Sequence, residues 1–466
     1  MKSVNVVKGP VIFVGYGSIG RGVLALFEKH FSFQENQITI IEPKLSQLDY
    51  GTGHKYSHLH LGLKPSNYED VLDSIIQQSA EQAIIINLSV EVSSVSLMRY
   101  ANKRNALYID TVVEPWPGVY DDFNRPAHER TNYHLRKEVL SLRTELSASG
   151  PTAVSCCGAN PGMVSWLVKR ALLQIARDTN TVTEIPKTRG EWSNLAQKLG
   201  VVGIHIAERD DQTTMTTVPE TKFVNTWSVE GLISEALQPA ELGWGTHEQE
   251  LPIGAEHHED PQACGIFLDS VGAKTKVRTW VPTHGEVEAY LVTHNEALSL
   301  SDYLTVRDES GKVIYRPTVH YAYRPCDATV EALNRLTSKG ITSFDTFTVL
   351  TEGEISDGFD ELGVLLFGHN KNAYWYGSKL STEEAKALAP HQNATGLQVT
   401  SAVIAGIHWM LENPHCGIVE VEEMDHEFCL AIQEPYLGKV FGAYTDWKPT
   451  NDKTDPWQFS NIMLSQ

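Results

Sequence analysis

The sequence is short of cysteine and of positive charge. Six cysteines in 466 residues do not make a disulfide framework and have no metal-ligand spacing, so we predict reduced thiols, no metal site and a cytoplasmic protein. Lysine and arginine number 38 against 58 aspartates and glutamates, which gives a net charge of −20. This balance argues against a nucleic-acid partner, which favours basic stripes. It indicates a solvated acidic surface and is also compatible with steering a cationic ligand.

Long apolar runs and metal-type histidine clusters are missing too. No run approaches the length of a membrane span, and the glycines in VIFVGYGSIG (11–20) argue against a secretion signal. His54, His58 and His60 lie close together but lack a carboxylate or cysteine at ligand spacing, so we interpret them as loop residues. At this length two domains are expected.

The sequence does contain a glycine-rich turn between a strand pattern and a helix pattern. The run VIFV (11–14) leads into GYGSIG (15–20), and a helical periodicity follows. In such a motif the first glycine permits the turn, the second lets the backbone approach a pyrophosphate, and the third allows close packing. The N–H groups at the helix start face the phosphates. The cofactor contacts predicted here are Gly15, Gly17, Ser18, Ile19 and Gly20.

The acid at the end of the next predicted strand favours one cofactor over another. Glu42 follows the run ITII (38–41) and lies downstream of the glycine motif at the distance typical of a ribose contact. A carboxylate there accepts hydrogen bonds from a ribose 2′-hydroxyl and repels a 2′-phosphate, so we predict NAD rather than NADP. The alternative is a solvated charge at a strand end.

Strand and helix patterns then alternate, which predicts a doubly wound parallel sheet in a Rossmann-type domain over 1–155. Ligands of such sheets bind beyond the carboxyl ends of the strands. Asn160, followed by a proline, is typical of a helix N-cap, and its amide is expected beside the nicotinamide. Two alternatives stay open: Ser89 caps a helix, or Asp110 closes a turn. The polar residues expected at the strand ends are Asn87, Ser89, Glu91, Asp110, Thr111 and Glu114.

The alternation stops after about residue 180. Short strand patterns there predict a catalytic and dimerisation α+β domain over 156–392, built on a largely antiparallel sheet. The apolar helix pattern at 393–412 is expected to pack back on the N-terminal domain, and 413–466 to form a C-terminal segment. The predicted fold class is therefore α/β, with a second α+β domain.

Acidic and aromatic residues dominate the candidates for a substrate pocket, and no arginine cluster is present to hold a substrate carboxylate. Carboxylates beside an indole suit an ammonium group, through ion pairing and cation–π attraction. The alternatives are that the acids form solvated faces, that Trp227 is a core aromatic and that His294 is a structural histidine. The candidates are Glu91, Glu114, Glu208, Trp227, Glu235, His294 and Glu296.

Motifs along the whole chain resemble those of the bacterial homospermidine synthases, within the saccharopine dehydrogenase-like group. The resemblance implies a homodimer with tightly held NAD that transfers an aminobutyl group from putrescine, or from spermidine, to a putrescine. It implies oxidation to an imine, exchange of the amine, and reduction by the same NADH. The motifs are VGYGSIGRG, INLSVEVSS, DTVVEPW, SCCGANPGMVSW, HIAERD, NTWSVEG, LVTHNEA and ATGLQVTSAV with WMLENP.

The resemblance also implies roles for single residues. Trp227 would stabilise the cationic intermediate, while Glu208 and Glu235 would bind ammonium groups and assist proton transfer. Asn160 would hydrogen-bond the reacting amine or the nicotinamide. The resemblance would also place Glu91 and Glu114 near the cofactor side of the pocket, and His294 with Glu296 would shape or protonate it. Independently of the resemblance, the helical periodicity after Trp227 predicts that Glu230 is a plain surface acid.

Two other functions remain open from the sequence. One is an oxidoreductase that couples an amine to an oxo-acid, which would consume NADH and need an arginine-lined pocket. The other is a regulator that binds NAD without turnover.

Overall fold

The computed structural model describes residues 5–44, 55–77, 79–120, 122, 124–181, 184–258, 263–351, 353–389, 392–451 and 454–464. His54 lies outside these ranges. The helices in them are α1 (Ser18–His30), α2 (Tyr68–Ile76), α3 (Ser94–Lys103), α4 (Asn132–Glu145), α5 (Met163–Asp178), α6 (Arg189–Leu199), α7 (Val229–Leu237), α8 (Asn295–Tyr303), α9 (Asp327–Lys339), α10 (Thr382–Leu388), α11 (Ala394–Glu412), α12 (His426–Gln433) and α13 (Phe459–Ile462).

The strands complete two large sheets and several small pairs. They are β1 (Asn5–Val6), β2 (Val11–Val14), β3 (Phe31–Ser32), β4 (Ile38–Ile41), β5 (Ser57–Leu59), β6 (Ile84–Asn87), β7 (Leu107–Asp110), β8 (Ala153–Ser155), β9 (Gly203–Asp210), β10 (Thr213–Thr214), β11 (Lys222–Asn225), β12 (Pro239–Gly243), β13 (Ala255–His257), β14 (Gly265–Val271), β15 (Lys276–Val281), β16 (Gly285–Tyr290), β17 (Val306–Arg307), β18 (Val313–Tyr315), β19 (Thr318–Arg324), β20 (Thr346–Val349), β21 (Ile355–Asp357), β22 (Phe359–His369), β23 (Asn372–Ser381), β24 (Ile418–Glu420) and β25 (Lys439–Thr445).

The N-terminal sheet is parallel throughout, with the strand order β24-β8-β7-β6-β2-β4-β5. The strands β2, β4, β6 and β7 are buried along their whole length, which explains why they read as continuous apolar runs rather than alternating ones. The strands β4 and β6 lie on opposite sides of β2, so the strand order changes direction there. At such a switch point the ligand crevice is expected beyond the carboxyl end of β2. The predicted Rossmann-type sheet is confirmed.

The second sheet has ten strands in the order β13-β14-β12-β19-β9-β22-β23-β25, and a β15-β16 hairpin joins it through β19. Its neighbours are antiparallel except for β9 and β19, which run parallel. The prediction of a largely antiparallel sheet is confirmed. Alternation along β9 places Glu208 and Asp210 on the face opposite to His205.

The C-terminal part of the chain contributes to both sheets. α11 lies against α1, where Nε2 of His408 contacts Nδ1 of His30 at 3.0 Å. The described residues of the segment 413–466 then supply β24 at one edge of the parallel sheet and β25 at one edge of the second sheet. The expectation that no run approaches the length of a membrane span needs correction, because α11 meets that length and apolarity; 83% of its apolar window is buried inside the protein.

One local prediction about a helix start is wrong. Pro161 does not occupy the first position of a helix, because α5 begins at Met163 and is preceded by Gly162 with φ of 135°. Asn160 therefore does not cap α5, and its amide is available for a contact elsewhere.

Candidate active site

A groove of about 1540 Å³, part of it open to solvent, runs along the glycine-rich turn. Gly15 has a φ of 91°, which permits the tight turn. A Cβ atom at Gly17 would meet no atom within 4 Å, so this backbone is open to a ligand. At Gly20 a Cβ atom would lie 2.7 Å from the carbonyl oxygen of Gly15, so this glycine is required by close packing. α1 begins without a side-chain cap, which leaves its first N–H groups for a ligand.

An acid marks the far side of this groove. The carboxylate of Glu42 accepts hydrogen bonds from the backbone N–H of Tyr16 at 3.0 Å and of Lys44 at 2.9 Å. These two bonds fix the carboxylate beyond the end of β4, where a dinucleotide presents its ribose.

The groove leads into a deeper pocket of about 930 Å³, part of it open to solvent, and shares Ile19, Ser89 and Ser228 with it. The pocket lies between the ends of the parallel strands and the second sheet. Among the described residues that line it there is no lysine or arginine. The predicted residues that line it are Ile19, Ser89, Thr111, Glu114, Asn160, Glu208, Trp227, Glu235 and His294.

One face of α7 forms a wall of this pocket. Ser228 caps the helix, since its Oγ accepts from the N–H of Gly231 at 3.0 Å. The side chain of Trp227 precedes this cap, and its Nε1 donates to the hydroxyl of Tyr323 at 3.2 Å. A Cβ atom at Gly231 would approach the indole to 3.0 Å, so this glycine makes room for the ring. Gly231, Ser234, Glu235 and Gln238 all line the pocket.

A buried histidine joins two carboxylates at the wall. Nε2 of His294 lies 2.9 Å from Oε2 of Glu235, and Nδ1 lies 3.2 Å from Oε1 of Glu296. Burial alone lowers the pKa of His294, but the two carboxylates outweigh it and raise the pKa to about 10. Burial raises the pKa of Glu235, and the neighbouring imidazole opposes that shift. His294 is therefore cationic at neutral pH and donates a hydrogen bond from each ring nitrogen.

Glu208 projects from β9 into the opposite side of the pocket. Its Oε2 accepts from Nδ2 of Asn160 at 2.8 Å and from the hydroxyl of Tyr321 at 2.5 Å. Burial raises the pKa of Glu208 to about 7, although these two hydrogen bonds oppose the shift. Behind it, burial raises the pKa of Asp210 to about 6, and burial with both neighbouring carboxyls raises that of Asp360 far above its usual range. This side of the pocket therefore exchanges protons near neutral pH.

Glu114 follows β7 and is nearly fully buried. Burial raises its pKa to about 8, against the hydrogen bond that its Oε2 accepts from the N–H of Glu91 at 3.1 Å. Glu91 has a φ of 60°, an uncommon conformation for a residue with a side chain. Glu91 lines the groove rather than the pocket, which agrees with its expected position near the cofactor side, and its contact with a substrate stays a prediction.

Several other predicted contacts lie away from both cavities. The carboxylate of Asp110 accepts from the N–H of Cys156 at 2.7 Å and from the hydroxyl of Tyr108 at 2.8 Å, so it joins neighbouring strands. The side chain of Asn87 bonds the same tyrosine and the carbonyl of Val92. Neither lines the groove or the pocket. Both are short polar side chains at strand ends that satisfy buried backbone and hydroxyl groups instead.

Three further expectations change. Glu296 is 0% exposed and stands behind His294, so it orients that ring and does not line the pocket. Ser89 does not cap a helix, because its hydroxyl donates to Oδ1 of Asn87 at 2.7 Å and α3 is capped by Ser93. Glu230, expected to be a plain surface acid, is exposed but lines the groove.

The pocket also contains residues that the sequence reasoning missed. Tyr120 reaches it from a loop, Asn132 from α4 and Tyr321 from β19, and no local pattern reveals this convergence. Ser234 and Gln238, by contrast, can be found from the sequence. A helix turns by about 100° per residue, so both lie within about 60° of Gly231 around the helix axis. Extending the helical periodicity of α7 therefore places them on the same face. Among the described residues, no group of three or more histidine, cysteine or acidic side chains is placed to hold a metal ion.

Two family models divide the chain in the way the fold does. Residues 11–154 match the saccharopine dehydrogenase NADP binding domain, and residues 158–443 match the saccharopine dehydrogenase C-terminal domain. With the dinucleotide groove and the adjoining acidic pocket, these matches define a saccharopine dehydrogenase-like, nucleotide-dependent enzyme.

Relatives that match along almost the whole chain identify the family within this class. The homospermidine synthase of Blastochloris viridis is 49% identical over 98% of both chains. That of Mesorhizobium japonicum is 48% identical over 98% of this chain and 97% of its own. The crystal structure of the homospermidine synthase from Legionella pneumophila, in complex with NAD, is 40% identical over 100% of both chains, with a TM-score of 0.91. The chain belongs to the homospermidine synthase family, and the predicted resemblance is confirmed.

Proposed function

We propose that the chain is a homospermidine synthase that converts two putrescines, or putrescine and spermidine, to sym-homospermidine, with release of ammonia or diaminopropane. The lining of the pocket carries this proposal. Three glutamates and an indole face the space, and its described lining contains no cationic side chain except His294. A diamine carries two ammonium groups that pair with carboxylates. An oxo-acid needs a cation for its carboxylate, and His294 is already paired with Glu235 and Glu296, so the lining opposes the amine–oxo-acid alternative.

The groove fits NAD. Gly17 and the uncapped start of α1 leave room and N–H groups for a pyrophosphate, and Glu42 offers a carboxylate to a ribose hydroxyl while repelling a 2′-phosphate. The relative from Legionella pneumophila is solved with NAD. When bound, NAD supplies a reversible hydride acceptor at the mouth of the pocket.

The reaction has three stages and no net redox change: a primary amine loses two electrons and becomes an imine, a second amine displaces ammonia, and the new imine is reduced. Trp227 places its indole against the developing iminium, where a π face stabilises positive charge. Glu208 takes the amine proton on its carboxylate, while Asn160 and Tyr321 hold its Oε2. These side chains make the amine a nucleophile and stabilise its cationic product.

The wall formed by Glu235 and His294 binds the second amine. Glu235 pairs with an ammonium group, and His294 keeps that carboxylate oriented through its Nε2–H. Because His294 is protonated at neutral pH, it is the proton source for the departing ammonia, with Glu296 behind it balancing the charge. Glu114 adds a third carboxyl near Glu235. On the family resemblance we also propose a homodimer in the cytoplasm.

The test is turnover with defined amines. Purified protein with putrescine and a small amount of NAD should form homospermidine and ammonia in equal amounts, with no lasting rise in NADH absorbance. Turnover only with an oxo-acid and stoichiometric NADH would contradict the proposal. NAD binding without any turnover would support the regulator instead.

A further inference from the structure

A fully buried carboxyl group lies behind Glu208 and takes no part in the proposed mechanism. Asp360, on β22, is 0% exposed and does not line the pocket. Neither oxygen of its carboxyl accepts a hydrogen bond from the described residues. A buried carboxylate without donors is strongly unfavourable, so this side chain holds a proton rather than a negative charge.

Strand pairing brings this acid beside two other carboxyls. On the antiparallel pair of β9 and β22, Asp360 lies directly opposite Asp210 and diagonally from Glu208. Opposite and diagonal side chains of such a pair share one face and are within reach of each other. The carboxyls of Glu208 and Asp210 both act on Asp360, and it shares a hydrogen bond with Glu208. Tyr323 of β19 and the hydroxyl of Thr395 in α11 face it as well.

The carboxyl at the far end of this array is held in a different way. Oδ1 of Asp210 accepts from the backbone N–H of Gln212 at 2.9 Å and from its Nε2 at 3.1 Å, and Oδ2 accepts from the hydroxyl of Thr226 at 2.6 Å. These donors favour the charged form, so burial raises the pKa of Asp210 only to about 6, whereas that of Asp360 lies far above its usual range. At neutral pH an acid therefore lies beside a carboxylate.

The proposed reaction needs a place to hold a proton. Charge is conserved over the whole cycle, since two doubly charged putrescines give a triply charged homospermidine and one ammonium ion. The first amine nevertheless gives up a proton before its hydride leaves, and the product amine takes one up after reduction. Glu208 must pass the first proton on before it can take another from the second amine.

A carboxylic acid can pass a proton without changing its own charge, because one oxygen accepts while the other donates. Asp360 can take the proton of Glu208 on one oxygen and give its own proton to the carboxylate of Asp210. Afterwards Glu208 is ionised, Asp360 is again an acid and Asp210 is neutral. The reverse transfer restores the starting state.

We propose that Asp360 and Asp210 are positioning residues that store, behind Glu208, the proton released when the first amine is oxidised and return it after the new imine is reduced. The inference rests on the proposed function, because it concerns the proton that this reaction releases.

The kinetic test replaces each of the two acids by its amide. Asp360→Asn is neutral like the protonated acid and can still donate to Glu208, but its amide does not pass a proton on. The kcat for putrescine should fall roughly 10-fold, less than the 10²- to 10⁴-fold typical of losing a general base outright. KM should change little, because Glu208 still contacts the amine. Asp210→Asn should have the same effect.

An infrared measurement tests the protonation of Asp360 without turnover. At neutral pH the spectrum of the NAD-loaded protein should contain a carbonyl stretch from a protonated carboxyl that shifts in heavy water. The difference spectrum against Asp360→Asn should show the loss of this band.

Glu361 provides a matched control on the same strand. It is 0% exposed, follows Asp360 and therefore points to the opposite face of the sheet. Its carboxylate accepts from the N–H of Thr283 at 3.1 Å and from the hydroxyl of Thr283 at 2.8 Å. Glu361→Gln should leave kcat and the infrared band unchanged.

Full kcat in Asp360→Asn, a raised KM at unchanged kcat, or an unaltered infrared band would overturn the inference. An equal loss of kcat in Glu361→Gln would also overturn it, because the effect would then come from the packing of β22. If the unaltered protein does not turn over putrescine, the proposed function fails together with the inference. Normal turnover in both amide variants would sink the inference alone.

Discussion

At the scale of single residues, the pocket shifts the pKa values of its ionisable groups away from their usual ranges. Burial leaves Glu208 partly ionised near neutral pH and keeps Glu114 protonated there, while paired carboxylates keep His294 cationic. One pocket thus offers a proton acceptor and proton donors at the same pH, as an amine exchange requires.

The pH dependence of kcat/KM should reflect the ionisation of Glu208. Its pKa is raised to about 7, so below pH 7 the carboxyl is neutral and cannot attract an ammonium group or accept its proton. We therefore expect kcat/KM for putrescine to rise as pH increases through about 7, and to lose this inflection in Glu208→Gln. Glu248, another buried carboxyl with a raised pKa, lies outside the pocket, and Glu248→Gln should keep the inflection. An inflection that persists in Glu208→Gln would assign it to another group.

We expect the indole of Trp227 to stabilise positive charge on the substrate rather than the folded state of the protein. A desolvated cation–π contact is worth about 2 kcal/mol, so Trp227→Ala should lower kcat/KM by roughly 30-fold while NAD affinity stays unchanged. Trp227→Phe keeps a weaker π face and should retain partial activity. Trp280, half-buried on β15 and outside the pocket, is the control position for alanine substitution. Parallel loss of NAD binding and activity in Trp227→Ala would make the tryptophan structural.

At the scale of elements, α7 borders both the cofactor groove and the pocket. Its cap at Ser228 sets where the helix begins, and its periodicity sets which side chains face the pocket. Gly231, in the first turn, is a position where a side chain on the helix would compete with the indole for space.

Gly231→Ala separates stability from activity at this position. Alanine favours a helix over glycine by about 1 kcal/mol, which offsets the crowding of its Cβ against the indole and the capping Ser228, so Tm should change little. The new Cβ, 3.0 Å from the indole, should displace Trp227 and reduce kcat/KM for putrescine severalfold. Gly190→Ala in α6 is matched, because a Cβ there meets nothing within 4 Å, and activity should be unchanged. Full activity in Gly231→Ala would show that the indole position is not limiting.

Local patterns predicted much of the fold and part of the site. The glycine motif and Glu42 depend on a strand, a turn and a helix that are adjacent in sequence, so the sequence was sufficient for them. Asp110 and Asn87 were assigned to the cofactor because strand ends face the crevice, yet each satisfies buried partners instead. Tyr321 reaches Glu208 through a pairing of β9 with β19, which is set by tertiary structure and leaves no local signal.

At the scale of the whole molecule, the pocket lies between two sheets and is open to solvent only in part. α11 packs on α1, and the strands β24 and β25 tie the end of the chain to both sheets. This enclosure suits a reaction whose imine must not be lost to water between oxidation and reduction. We therefore propose that oxidation and reduction occur on one bound substrate, with the hydride returned to the molecule from which it came.

The most direct measurement follows deuterium from putrescine labelled at both carbons next to nitrogen, supplied to the NAD-loaded protein with unlabelled NADH in solution. The homospermidine formed is analysed by mass spectrometry, and the released ammonia is counted. If the hydride stays within one closed cycle, the product keeps all the deuterium of the two putrescines, with ammonia in equal amount. Homospermidine that has exchanged a deuterium for hydrogen from the NADH in solution would contradict the account.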